Sequence, residues 1–187
     1  MFKILIILSL AIASFAANLN IQKGEIIAHT EVFGDSEINQ SSKSINAILT
    51  IDEKIESIKG KIYFETISLI SQKEDRDKSM YELLNTDKYK TISFDIINIV
   101  KNETDYTING FLTLNGIEKS ISAKSNIQEQ NSQISLEGNF SFNLTDFNLE
   151  PPSMFFLTVR NQIDINYNIE LNISYVSTNN ELENIFK

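Results

Sequence analysis

The segment QIDINYNIELNISY places Ile163, Ile165, Tyr167, Ile169, Leu171, Ile173 and Tyr175 at every second position, with Asp164, Asn166, Asn168, Glu170, Asn172 and Ser174 between them. Successive side chains of a strand point to opposite faces, so this pattern demands a long strand with one buried and one wet face. A helix with 3.6 residues per turn would scatter the same apolar residues around its surface. Two further segments repeat the pattern. ISLEGNFSFNL aligns Ile134, Leu136, Gly138, Phe140, Phe142 and Leu144, and YTINGFLTL aligns Tyr106, Ile108, Gly110, Leu112 and Leu114. Each carries a glycine on its apolar face, where the missing side chain relieves crowding or permits the bend that a coiling strand needs.

Further strand signals cover 25–34, 43–52, 57–70, 91–101 and 118–129. Together with 106–114, 134–144 and 162–175 they make eight strands. Asn115-Gly116 fits a two-residue hairpin turn and 101–105 a longer one, so sequential antiparallel pairing is expected. The fold class is therefore all-β. Eight strands closed on themselves form a barrel wide enough for its own side chains or one slender ligand, and a two-sheet sandwich is the alternative. One stretch departs from the pattern. In KEDRDKSMYELLNTDKYKTISF, Met80, Leu83 and Leu84 recur at helical spacing between Asp75 or Asp77 as N-cap and Asn85-Thr86 as a stop. A short helix between the third and fourth strands follows, and its apolar stripe needs a surface such as the open end of a barrel.

The chain opens with MFKILIILSLAIASFAANLN, a lysine followed by a short apolar run and small residues. Such a run is a secretory signal peptide, expected over 1–16 with cleavage after Ala16. A single barrel domain over 17–176 and a polar tail over 177–187 complete the organisation. With no cysteine, neither disulfides nor lipidation at the signal junction can contribute, and core packing alone must hold the fold. The formal net charge of -9 is spread along the chain, which argues against nucleic acid or an anionic membrane as partner. The Asn- and Ile-rich, Trp-free composition fits an AT-rich bacterial genome.

Reactive groups are scarce. His29 is the single histidine, so Cys-His sites and multi-His metal centres are excluded, and no nucleophile elbow, phosphate loop or dinucleotide fingerprint occurs. His29 reads as a structural or surface residue, and Glu74, Asp75 and Asp77 as a solvated, helix-capping cluster. The expectation is a non-enzyme with no metal and no required cofactor. What the sequence does supply is inward-facing apolar surface, able to fill the barrel or to line a pocket. Phe94, Tyr106, Ile108, Leu112, Phe140, Phe142, Ile165 and Tyr167 are the pocket candidates. Arg76, Asp77, Met80, Leu84, Met154 and Phe155 are candidates for its mouth. Arg76 beside Asp77 reads as an Arg-carboxylate clamp that fixes the helix, with contact to a ligand head group as the sharper alternative.

RDKSMYELLNTDKYKTISFDI, then GFLTLNGIEKSISAKSNI, then GNFSFNLTDFNLE resemble the YceI-like family in content and order. Arg76, Asp77, Tyr89, Ile92, Phe94, Gly110, Leu112, Thr113, Gly116, Asp146 and Phe147 carry the likeness. Lys90 and Ser79 depart from it, standing where the family usually has Pro and His. The resemblance implies a lipocalin-like barrel, usually periplasmic, that in some members holds a polyisoprenoid chain such as that of an isoprenoid quinone. The expected protein is then an exported carrier of an apolar, lipid-like molecule from a Gram-negative bacterium. Its rival is a structural or stress-related interaction protein with a filled barrel.

Overall fold

The computed structural model describes residues 16–32, 35–154 and 157–175. The leader expected over 1–16, except for Ala16, and the tail over 177–187 lie outside the described residues. The alternating segments form the long strands β5 (Thr91–Lys101), β6 (Tyr106–Leu114), β7 (Ile117–Gln130), β8 (Gln133–Asn143) and β11 (Gln162–Ser174). Ahead of them come β1 (Ala17–Val32), β2 (Asp35–Ser42), β3 (Ile45–Ile51) and β4 (Lys59–Glu65), with the helix α1 (Glu74–Leu83) between β4 and β5. A two-stranded flap, β9 (Ser153–Met154) and β10 (Leu157–Thr158), precedes β11.

The order β11-β8-β7-β6-β5-β4-β3-β1-β2 closes through antiparallel pairing of β11 with β1. The result is a closed antiparallel barrel with eight positions. Nine strands fill them because β2 and β3 share one: β3 pairs the foot of β1 at Ala17–Leu19, and β2 pairs its upper part at Ile26–Val32. This corrects the expected boundaries of the first third. The first strand begins at Ala17, eight residues before the expected start, and the segment DSEINQSS is a strand despite having Ile38 as its one apolar residue. No pattern could reveal β2, because the adjacent β1 supplies its hydrogen bonds.

The tight turns follow local chemistry. Asn115 and Gly116 both adopt positive φ, 51° and 70°, as a type I′ hairpin requires. The turn at Asn131-Ser132 has the same form, with φ of 50° and 64°, and no glycine to announce it. Asn85, φ 50°, ends α1 where the stop was expected. The start differs: Lys73 is the N-cap residue and gives no side-chain bond, so neither Asp75 nor Asp77 caps the helix. The three acids Glu74, Asp75 and Asp77 still lie in its first turn, where the positive end of the helix dipole favours them.

Inward residues separate into two clusters. The lower includes Leu19, Leu49, Ile58, Ile134, Leu136, Ile169 and Leu171, all at most 2% exposed. Full burial of each such side chain is worth about 1.5–3 kcal/mol. The upper cluster includes Phe64, Leu69, Leu84, Ile92, Leu114, Leu144 and Phe147, drawn from strand ends, α1 and the turn at Leu144–Phe147. Ile26, Phe94 and Phe140 touch both.

Candidate functional site

Between the two clusters the barrel is hollow. A cavity of about 620 Å³ occupies its upper half, within the range of roughly 300–1,000 Å³ common for small-molecule pockets. Its wall is overwhelmingly aliphatic and aromatic. Phe94, Ile108, Leu112, Phe140, Phe142, Ile165 and Tyr167 all line it, as their shared strand parity requires. Tyr106 does not. It has the right parity but lies at the foot of β6, opposite Ser125, where it packs against the lower cluster.

Phe94 and Phe140 stack across the interior with centroids 6.1 Å apart, although their strands are three places apart in the sheet. Phe142 continues the row at 6.5 Å from Phe140, and Phe147 meets Phe142 edge-on at 5.1 Å. Phe94, Phe140 and Phe142 form one side of the cavity, and Phe147 backs them from the packed upper cluster. Gly110 lies beneath the Phe94 ring, where an added Cβ would come within 2.6 Å of it. The glycine on that apolar face therefore relieves crowding, one of the two roles expected of it.

The helix α1 lies over the upper end, and Met80, Leu83 and Leu84 contribute its apolar stripe to the cavity. Polar contacts to the preceding loop hold it. The Asp77 carboxylate, 8% exposed, accepts the Ser71 N–H with both oxygens, at 2.9 and 3.0 Å. The Tyr81 hydroxyl lies 2.7 Å from the Leu69 carbonyl and 3.0 Å from that of Ile67. Burial, aided by the Asp77 charge, pushes the Tyr81 phenol above its ordinary range, so it remains a donor. Asp77 thus ties the helix to the loop backbone and does not line the cavity. Arg76, Asp75 and Ser79 line the mouth.

The flap completes the rim with Pro152, Ser153 and Val159, tied down by the Arg160 N–H to the Glu31 carbonyl at 2.8 Å. Phe155 lies outside the described residues, as does the side chain of Met154. His29 is bonded laterally, its Nδ1 2.8 Å from Asn39 Oδ1 and its Nε2 3.5 Å from Glu31 Oε1. Beside it, Asp164 accepts from Ser141, Gln162 and Arg160. The Ser141 bond first, then that of Gln162, holds its carboxyl at a pKa of about 2. Among the described residues no group of three or more His, Cys, Asp or Glu is placed to hold a metal.

Several cavity residues were absent from the sequence expectations. Leu83 belongs to the helical stripe already visible there. Ile26, Ala28 and Gln40 come from the part of the chain whose pairing was illegible, and Ala123 sits on the inward face of β7, where small side chains blur the alternation.

Residues 18–171 match the family model described as YceI-like domain, which is most of the chain. The chain belongs to the YceI-like family. Among curated proteins it is similar to UPF0312 protein YE1254 of Yersinia enterocolitica, 30% identical over 125 residues, or 62% of this chain. The match spans 65% of that relative's length. Among solved structures, the YceI-like barrel resembles Burkholderia cenocepacia BcnA with a TM-score of 0.69 and 13% identity, covering 79% of this chain and 95% of that one. It also resembles the Campylobacter jejuni YCEI protein, with a TM-score of 0.61 and 19% identity over 70% and 82% of the two chains. A third neighbour is described as a polyisoprenoid binding domain from Saccharophagus degradans implicated in plant cell wall breakdown. Its TM-score is 0.57 at 10% identity, over 85% of this chain and 99% of that one. At these identities the structural likenesses establish the lipocalin-like barrel itself.

Proposed function

We propose that this YceI-like protein is a binder or carrier of one apolar lipid chain of isoprenoid type, such as that of an isoprenoid quinone, and not an enzyme. The observation that carries the reading is the cavity itself: about 620 Å³, walled by aliphatic and aromatic side chains and covered by α1. Each methylene moved there from water is worth about 0.8 kcal/mol, so a chain of several isoprene units offsets the cost of association. Charged lining residues, Asp75 and Arg76, lie on α1 at the mouth, where a polar head group would face water. The neighbour described as a polyisoprenoid binding domain supports the same class of ligand. A filled barrel, the rival reading, calls for close packing where the cavity lies.

Export to the periplasm is part of the proposal. β1 begins at Ala17, whose side chain is 1% exposed, so cleavage after Ala16 removes the leader without touching the barrel. No helix among the described residues is long and apolar enough to cross a membrane. The test is mass spectrometry of the protein purified from its native cell, on organic extracts and on the intact chain. A stoichiometric prenyl lipid and a mature chain starting at Ala17 are expected. Reproducible absence of any such lipid, with failure to take up added quinone, would refute the carrier reading; a retained leader would refute export.

A further inference from the structure

The cavity ends at a definite level of the barrel. Ile26 of β1, Tyr167 of β11, Gly138 of β8 and Ser125 of β7 are consecutive register partners around the wall. Gly138 has no side chain, and the Tyr167 ring lies in the space this leaves. A Cβ placed on Gly138 would stand 2.4 Å from the Tyr167 hydroxyl oxygen and 2.7 Å from its Cζ. One step further down, Leu136 and Ile169 still show a face to the cavity. The next inward pair, Ile134 and Leu171, is 0% exposed and does not line this cavity. From Ile163 near the mouth to Ile169 the strand advances six residues, roughly 20 Å along its length and about 15 Å along the axis of a tilted barrel.

The hydroxyl adds a second observation. The Tyr167 hydroxyl is buried beside Ser125, whose own hydroxyl donates to the Glu137 carbonyl at 3.2 Å. Burial pushes the phenol above its ordinary range, and Ser125 offsets only part of the rise. The ring's steric position, filling the Gly138 notch at the cavity floor, is what this side chain supplies.

Resting on the carrier reading, we propose that Tyr167 seated against Gly138, just above the Leu136–Ile169 floor, sets the length of chain the cavity accepts by the space its ring takes at the lower end. Chains that reach the floor beside the Tyr167 ring fill the cavity; longer ones leave their surplus in water at the mouth. Ala123, 2% exposed and lining the wall one level above Ser125, is the small residue that keeps the floor open. Position 138 itself is unsuited to a test, because its Cβ would also meet the Lys124 carbonyl at 2.2 Å and break the β7–β8 ladder.

The experiment offers the delipidated mature protein a mixture of prenols of graded length, from geraniol to solanesol, and reads the bound species by native mass spectrometry. Tyr167→Ala opens the notch and moves the preferred length up by at least one isoprene unit. Ala123→Leu fills space above the floor and moves it down by one. The conservative Tyr167→Phe restores the ring and returns the optimum to the wild-type length. Thermal melts identify any variant that does not fold, and Ala123→Leu then carries the test alone. An optimum that stays put in the folded variants overturns this inference and leaves the carrier reading standing. Failure of the unsubstituted protein to take up any prenol overturns the carrier reading itself.

Discussion

Phe142 and Phe147 touch each other, yet they lie on opposite sides of the question of whether the barrel is hollow. Phe147 is 0% exposed and is not part of the cavity wall; Phe142 is half-buried and lines it. Truncating Phe147 to alanine removes a fully buried side chain, about 2 kcal/mol of transfer free energy. It also leaves a new hole of about 80–100 Å³, which at roughly 24 cal/mol per Å³ adds about 2 kcal/mol. The sum is about 4 kcal/mol. Phe142→Ala enlarges a space that already exists, so the hole term is absent and about half the transfer term remains, roughly 1 kcal/mol. Both variants lose the same edge-to-face contact at 5.1 Å, worth about 0.5–1.5 kcal/mol, so it cancels in the comparison. Urea unfolding of delipidated protein measures both costs, provided the slope m is unchanged. Phe147→Ala should be the more destabilising by about 3 kcal/mol. Equal costs would refute the reasoning, because they require the space beside Phe142 to be packed with protein.

Two further outcomes follow from polar contacts at the rim. Tyr81→Phe removes the donor to the Ile67 and Leu69 carbonyls and should cost about 1 kcal/mol. It should also speed amide exchange across Glu74–Leu83, and unchanged exchange there would show that the apolar stripe alone holds the helix. The folded-state pKa of Asp164, about 2, lies below its unfolded value, so its ionised form stabilises the fold above about pH 4. That contribution is lost as pH falls through 2. Asp164→Asn should flatten the decline in urea midpoint between pH 4 and pH 2, and an unaltered slope would remove Asp164 from the account.

The later two-thirds of the fold were legible because their signals are local. Period-two alternation fixed which residues of β5, β6, β8 and β11 face inward, and Asn115-Gly116 supplied its own turn. The helix stop at Asn85 was equally local. β2 was not legible, since DSEINQSS has no apolar face and becomes a strand through the hydrogen bonds that β1 offers it. Asp77 was misplaced as a cap because the carboxylate serves a loop N–H six residues earlier, a choice made by how the loop folds back.

The sequence by itself therefore determined an all-β architecture of long antiparallel strands and the inward set that contains Phe94, Ile108, Leu112, Phe140, Phe142, Ile165 and Tyr167, while closure through β11 and β1 came from the structure. The sequence also determined the shortage of groups for catalysis or metal binding. Only the tertiary structure decided that Tyr106 belongs to the packed foot and the other seven to a hollow upper half. Parity along a strand tells inside from outside, because it depends on the direction of one side chain. Whether the inside is full depends on the volumes that eight strand positions, a helix and a flap bring to the same level, and no single segment contains that sum.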